Sequence, residues 1–318
     1  MGSGGAIIDR NDSQPIMNTR SAGFGDVADA SIVPMTEAEL ADSPPRSSSG
    51  KIILHRGRHW RQTFPGLFEP VHPLARLAVE EATSPSLACW GFHATLAKDD
   101  SDRANATKPM HLLGELASFG PASLSSNRRY QLRRSRRSVE FVQVLDIEAI
   151  EPEAYAVFRS AQDRTQNPWR EVSSPWDLRE QLAWYVRMPS AVLLAGMTGG
   201  RLGGWIAGYA TGTTAYIDIV DLATEALSSH ISIGLHFEFL DVCRRSGVVR
   251  EVAHSPHNPR DPALGAFKES IGFPVVHVPS RFEMAPIAKS LVRRSRPFLY
   301  YRLSGRVSGP VQAAIAAR

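Results

Sequence analysis

The sequence predicts an α/β chain of the α+β kind, with a mixed central sheet flanked by helices. Three observations predict it. Between residues 139 and 278, runs rich in β-branched and aromatic residues alternate with segments of helical period. Two of these runs are joined by Thr198-Gly199-Gly200, a turn that folds one strand back on the next. Toward the C-terminus each strand is followed by a helix, and strands joined through helices require a parallel part of the sheet with helices packed over it.

In chain order, residues 1–50 are rich in Gly, Ser, Asp and Pro, show no sustained apolar period and end in DSPPRSSSG, which predicts a disordered leader. The texture changes at Lys51. KIILHRGRHW reads as a strand, Phe64-Pro65-Gly66 as a turn, Leu74 to Glu81 as a short helix, Ser86 to Ala97 as a strand, and the polar stretch 98–109 as a loop. Residues 51–110 are accordingly expected to form an N-terminal cap or a shortened companion domain, with the main domain over 111–304 and a tail over 305–318. In the main domain, Ser125 and Ser126 precede NRRYQLRRSRR, a run of good helix formers with a serine cap. Val139 to Leu145 is a strand. Pro152 to Arg164 and Pro175 to Arg187 are helices, the second with Leu178, Leu182 and Tyr185 on one side. Ala191 to Met197 and Leu202 to Thr211 form the hairpin, and Ala215 to Leu222 is the next strand. Leu235, Phe239, Val242 and Cys243 make one apolar face of a helix from Ile231 to Arg245, ended by Gly247. Val248 to His254 is a strand, Ala263 to Ile271 a helix stopped by Gly272, and Val275 to Val278 the last core strand. A basic helix near Lys289 to Arg294 precedes a strand from Phe298 to Leu303. No internal repeat is evident.

Composition removes some classes of function. The 318 residues, 43% of them hydrophobic, suffice for one large domain or two small ones. Two cysteines exclude a disulfide framework and a cysteine-based zinc site, and cytoplasmic residence is expected. No apolar run approaches the roughly 20 residues of a membrane helix, and the first residues carry no basic-then-apolar secretion pattern. A net charge of +4 permits contact with phosphates without requiring it.

Three segments carry a family resemblance: SLSSNRRYQLRRSRRSVEF, ISIGLHFEFLDVCRRSGV and ALGAFKESIGF, the last with Phe267-Lys268 followed by Gly272-Phe273. Over Leu124 to Pro279, about half the chain, they resemble the FemAB-like branch of the GNAT superfamily of N-acyltransferases. The resemblance implies that two neighbouring parallel strands, Ala215–Leu222 and Val248–His254, splay apart to receive the donor's acyl arm. It also implies transfer of an acyl group from a thioester such as acetyl-CoA or a longer acyl-CoA to an amine on a small molecule, a sugar or an envelope precursor. Some relatives of this kind use aminoacyl-tRNA as donor, and a non-catalytic binding module is the further alternative. The chain departs from the acetyl-CoA pattern at Ser228-Ser229-His230-Ile231-Ser232-Ile233-Gly234. Ser232 stands for the first glycine of the phosphate-binding loop, Gly234 for its last small residue, and Ser229 for the expected Arg or Gln.

On this reading Ser229, His230, Ser232 and Gly234 face the donor's phosphates, and the backbone of Ile219, Val220 and Asp221 polarises the acyl carbonyl. Asp218 interrupts the apolar run Ile217, Ile219, Val220 and shares a strand face with Tyr216, so a partly buried carboxylate there is the first choice of base. The competing reading is a structural Asp bonded to Tyr216 or to an Arg. His254, with His257 three residues on, is a second candidate base, and a metal reading would need Asp261 as a third ligand; no metal is expected. Lys268 and the cluster of Arg128, Arg129, Arg133, Arg134, Arg136 and Arg137 are candidates for an anionic substrate, a CoA phosphate or a tRNA, with a solvated basic face as the plain alternative. His55 and His59 beside Trp60 are read as flanking a strand.

Overall fold

A computed structural model describes residues 23–45, 50–166, 172–307 and 309–316. The elements in chain order begin with β1 (Phe24–Asp26), α1 (Glu37–Asp42), β2 (Ile52–His55), β3 (Arg58–Phe64), β4 (Leu67–Pro70), β5 (Gly91–Thr95) and β6 (Ala106–Leu113). They continue with α2 (Ser126–Ser138), β7 (Glu140–Val144), α3 (Glu151–Thr165), α4 (Pro175–Arg187), β8 (Ala191–Thr198), β9 (Arg201–Thr211) and β10 (Thr214–Leu222). The last part holds α5 (Ile231–Arg245), β11 (Glu251–Pro256), α6 (Pro262–Ser270), β12 (Val275–Met284), α7 (Pro286–Ser295), α8 (Pro297–Ser304) and α9 (Pro310–Ala316).

Among the described residues the strands form one sheet in the order β1-β7-β8-β9-β10-β11-β6-β12-β5-β4-β3-β2. Neighbours are antiparallel except at two places, β10–β11 and β4–β5. The mixed sheet flanked by helices is thus as the sequence predicts. The faces can be assigned from consecutive residues of β9, which point to opposite sides. Tyr209 meets Trp184 of α4 at 5.9 Å between ring centroids, whereas Gly208 lies under Phe239 of α5. Helices α3 and α4 therefore cover one face and α5 the other, with α2 packed across α5. Leu235, Phe239, Val242 and Cys243, the apolar stripe read from the sequence, are all fully buried; each large side chain of that stripe contributes roughly 1.5–3 kcal/mol.

Helix limits match the sequence closely where a cap marks them. Ser125 accepts a hydrogen bond from the Arg128 N–H to start α2, Ser174 caps α4 ahead of Pro175, and Gly247 follows α5 in the left-handed region at φ 68°.

The departures have identifiable causes. KIILHRGRHW is a hairpin rather than one strand, because Arg56 and Gly57 both take positive φ and turn β2 into β3. Residues 74–81 form turns, with Leu74, Leu77 and Val79 anchored in the core by tertiary contacts. The predicted loop at 98–109 is a short 3₁₀ turn followed by the start of β6, a strand in the middle of the sheet. The polar Lys108 masked that strand; it is buried and ion-paired. Phe298–Leu303 is helical, since Pro297 opens α8 and Tyr300, Tyr301 and Leu303 are buried on it at helical spacing.

Residues 23–45, placed in the expected leader, are structured. Thr36 and Glu39 form a reciprocal capping box at α1, and Ala30, Ile32, Met35 and Leu40 are buried. Residues 1–22 and 46–49 of that leader lie outside the described residues. The strands of 51–110 do not stand apart: β5 and β6 pair directly with β12 and β11.

Strand exchange gives the sheet an internal symmetry that the sequence does not display. In one half the parallel pair is β10–β11, with β6 lying antiparallel beside β11; in the other it is β4–β5, with β12 antiparallel beside β5. Each half is completed by a strand from the other.

Candidate functional site

The β10–β11 pair is a fork. Its ladder runs through three rungs, Thr214↔Glu251, Ala215↔Val252 and Tyr216↔Ala253, and ends there. Both strands carry an irregularity just past the last rung: β10 between Ile217 and Ile219, and β11 between Ala253 and Pro256. A bulge bends its strand and re-aims a side chain, so the two strands part and Asp218 becomes the extra residue of β10. Ile219, Val220 and Asp221 lie beyond the fork, paired with β9 on one side and past the end of the ladder with β11 on the other.

Asp218 faces the α3–α4 side. The Tyr185 hydroxyl of α4 donates to Asp218 Oδ2. The structure thus gives Asp218 a partner in Tyr185. The Tyr216 side chain is buried against Tyr209, stacked at 5.2 Å, and its hydroxyl bonds His72 Nδ1 at 2.8 Å and the Leu74 N–H at 3.0 Å. Burial pushes the Tyr216 phenol well above its ordinary range, so it stays protonated. Tyr216 ties the 71–74 segment to β10.

His254 faces the α5 side and is 8% exposed. Its tautomer follows from a chain of hydrogen bonds. His236 Nδ1 lies 2.7 Å from the Ser232 carbonyl, which only accepts, so His236 Nδ1 carries the proton. The neutral His236 then accepts at Nε2, 2.9 Å from His254 Nε2, which must donate. This leaves a lone pair on His254 Nδ1, a buried atom with no hydrogen-bond partner among the described residues. Both rings are kept neutral: burial, with the Lys268 charge opposing protonation, lowers His236 to about 4 and His254 well below its ordinary value. The Lys268 ammonium reaches the same place from α6, donating to the His254 carbonyl at 3.3 Å and to Ser255 Oγ at 2.7 Å. Burial lowers its pKa to about 8. Ser255 holds φ 64°, a left-handed conformation that costs a non-glycine residue energy and that its bond to Lys268 helps to hold.

The start of α5 lies near the basic helix α2. His230 enters the helix in the left-handed region, and no side chain caps the first turn. Arg134 and Arg128 are close enough for their charge, after burial, to lower the His230 pKa. Ser229 turns its hydroxyl to the Ala226 carbonyl at 2.6 Å, and the Ser232 carbonyl is occupied by His236. Gly234 is a packing glycine, since a Cβ there would stand 2.1 Å from Phe141 Cζ and 2.5 Å from Ser135 Oγ. On α2, Arg136 is paired with Glu238 and lies over Phe237, and Arg128 bonds Ser270 and lies over Phe267, while Arg133, Arg134 and Arg137 are exposed. A cavity of about 350 Å³ opens beside the end of α2, lined by Arg136, Arg137, Ser138 and the Gly199–Gly200 turn.

The structure thus gathers His254 and Lys268, puts Asp218 on the opposite face of the same fork, and sets Ser229, His230, Ser232 and Gly234 around the start of α5. His257 bonds the Tyr301 hydroxyl at 2.7 Å and Asp261 caps α6, so the two residues paired with His254 in the metal reading serve other contacts. No group of three or more His, Cys, Asp and Glu side chains suited to a metal occurs among the described residues.

Sequence reasoning missed Tyr185 as the partner of Asp218, and His236. His236 carried a faint signal, a histidine on a helix face otherwise apolar. It also missed the second fork. The β4–β5 ladder ends after Leu67↔Gly91 and Phe68↔Phe92, and the next residues are Glu69 and His93. His93 Nδ1 lies 3.0 Å from Glu69 Oε1 and must donate, so its Nε2 accepts from Ser280 Oγ at 3.1 Å. Lys108 Nζ is 3.5 Å from the same carboxylate. Burial alone would raise Glu69, but Lys108 and then His93 hold it well below the usual carboxylate range. His93 and Ser280 are both 0% exposed, while the Glu69 side chain keeps 14% exposure, so the histidine–serine part of this string is internal.

The fold thus assembled, a mixed sheet parted at a bulged parallel fork and completed by exchanged strands, is GNAT-like and of the FemAB-like kind. The solved structures it resembles include FemX, at TM-score 0.55 and 8% identity, covering 82% of this chain and 99% of that one. They also include the C-terminal domain of a protein described as a lysylphosphatidylglycerol synthetase from Agrobacterium fabrum, at TM-score 0.54 and 11% identity over 86% of this chain and 99% of that domain. L-PGS from Bacillus licheniformis aligns at TM-score 0.53 and 10% identity, covering 87% and 99%. No protein-family model and no curated protein matches the sequence.

Proposed function

We propose that this chain transfers an acyl or aminoacyl group to an amine, with the reacting carbonyl held at the β10–β11 fork. The observation that carries this reading is the fork itself: a three-rung parallel ladder that ends at two bulges, with a carboxylate on one face and a buried histidine–lysine pair on the other. A donor laid in the gap would set its carbonyl against the β10 backbone near Ile219 to Asp221. Asp218 is the group we assign to take the proton from the attacking amine, oriented by Tyr185. The Lys268 ammonium, charged at neutral pH for the most part, is suited to stabilise the negative charge that develops on the carbonyl oxygen. His254, kept neutral, offers its Nδ1 lone pair as a hydrogen-bond acceptor to the bound substrate.

The donor's anionic portion fits the start of α5, where free backbone N–H groups, His230, Arg128 and Arg134 converge. An acyl-CoA satisfies that requirement. The exposed Arg133, Arg134 and Arg137 of α2 favour a second reading, aminoacyl-tRNA as donor, because they extend the positive surface beyond what a pyrophosphate spans.

The test is ligand-dependent thermal stability with acetyl-CoA, longer acyl-CoAs and aminoacyl-tRNA. A donor at about 100 times its dissociation constant stabilises the fold by about 2.7 kcal/mol. Stabilisation by tRNA alone removes the CoA reading, and no shift with any donor leaves a binding module. With a donor in hand, Asp218→Asn is expected to lower turnover by about 10²–10⁴ while leaving donor affinity in place; an unchanged rate takes Asp218 out of the reaction.

A further inference from the structure

We infer that the edge of the molecule formed by α7 and two neighbouring tips docks onto an anionic lipid surface. Helix α7, PIAKSLVRRS, has two apolar stripes. Ala288 and Val292, four apart, turn inward, and Val292 packs on the small core of Leu67, Phe282, Tyr300 and Leu303. Ile287 and Leu291, also four apart, turn outward and are 87% and 64% exposed. Neither side chain belongs to a core cluster of the described residues.

Two other exposed apolar residues lie within three residues of the backbone bonds that tie Trp90 to Gly66 and to Ala285, just ahead of α7. Leu87 is wholly exposed, in the uncharged segment Ser84–Trp90, and Phe64 is 41% exposed at the tip between β3 and β4. Trp90 joins the three segments. Its N–H donates to the Gly66 carbonyl at 2.9 Å, its carbonyl accepts from the Ala285 N–H at 2.6 Å, and its indole packs on the same small core as Val292. Gly66 must be glycine there, since a Cβ would stand 2.1 Å from the Trp90 ring.

The charge on α7 has one sign. Lys289, Arg293, Arg294 and Arg296 lie on or next to α7, which holds no acidic residue, and the adjacent Glu283 is neutralised by Arg281 at 2.6 Å. Exposed aliphatics rimmed by cations are the pattern of a helix that lies in a membrane interface, its apolar side among the acyl chains and its cations at anionic headgroups. The partner that matches both features is an anionic bilayer, because a neutral apolar partner leaves the four cations without counter-charge. No helix among the described residues is long and apolar enough to cross a membrane. The inference is independent of the fork and its chemistry.

The test is co-sedimentation of the full chain with vesicles of phosphatidylcholine alone and of phosphatidylcholine mixed with phosphatidylserine. Binding is expected to the mixed vesicles and to weaken with salt. Ile287→Glu with Leu291→Glu should reduce that binding at least ~10-fold, and each of Arg293→Glu and Arg294→Glu should reduce it about five-fold or more. These side chains are exposed, so the melting temperature should stay unchanged, which separates lost docking from lost folding. Leu291→Trp, which keeps an interfacial apolar group, should retain binding. The inference is overturned if the chain ignores mixed vesicles. It is equally overturned if the Ile287/Leu291 double variant binds them as well as the parent, which would assign binding to charge elsewhere, such as α2. Capture by an acidic protein or a nucleic acid with no vesicle binding also overturns it.

Discussion

Stability should fall steeply when the medium is acidified from neutrality, well before carboxylates titrate. His72 is half-buried and His236 buried, and both are held at about 4, burial being the main cause in each case. In the unfolded chain both return to about 6.5. Between those values the unfolded state binds more protons than the native state, so stability rises with pH across that window and is lost as pH falls through it. Each histidine then contributes about 3 kcal/mol that is present above pH 6.5 and largely gone near pH 4. Between about pH 6 and 4.5 the two together give a slope of roughly 2 kcal/mol per pH unit, a large fraction of a total stability of about 5–15 kcal/mol. His93 and His254 are displaced in the same direction and add to it. The assay is urea unfolding at several values between pH 7.5 and 5, a range chosen to stay above the carboxylates. His236→Gln keeps a polar partner for His254 but removes one titrating group, so its slope should be shallower by about 1 kcal/mol per pH unit. A flat profile over this range, or a variant slope equal to that of the parent, would refute the reasoning.

Two further outcomes follow from packing and charge. Lys108→Met leaves the buried Glu69 carboxylate without its cation and should cost about 3–5 kcal/mol in chemical unfolding, much of it recovered by adding Glu69→Gln; additive losses in the double variant would mean the two side chains do not act as a pair. Gly208→Ala places a Cβ 2.2 Å from the Tyr216 carbonyl oxygen and 2.6 Å from Phe239 Cζ, so a loss near the upper end of about 1–3 kcal/mol is expected, visible as a lower melting temperature, and a neutral result would contradict the close approach of α5 to β9.

The sequence by itself determined the elements whose signals are local. The limits of α4 and α5, the Thr198–Gly200 hairpin turn and the serine cap of α2 are all set by residues within a turn of the feature they define, and each was legible. It also located Asp218 and His254, because a charged or ionisable residue interrupting an apolar strand is visible in one dimension. Tertiary structure decided what those residues touch. Tyr185 is 33 positions from Asp218 and His236 is 18 from His254, and no periodicity links them. Strand β6 and the second half of β12 hid behind Lys108, His111 and Ser280, polar side chains tolerated in the core because partners from distant strands satisfy them. The same holds for residues 23–45, whose few apolar side chains are too sparse to show a period but each find a place in the core. Fork geometry was legible only as an implication of resemblance, since where two parallel strands part depends on bulges in both, and a bulge is a property of pairing rather than of either strand alone.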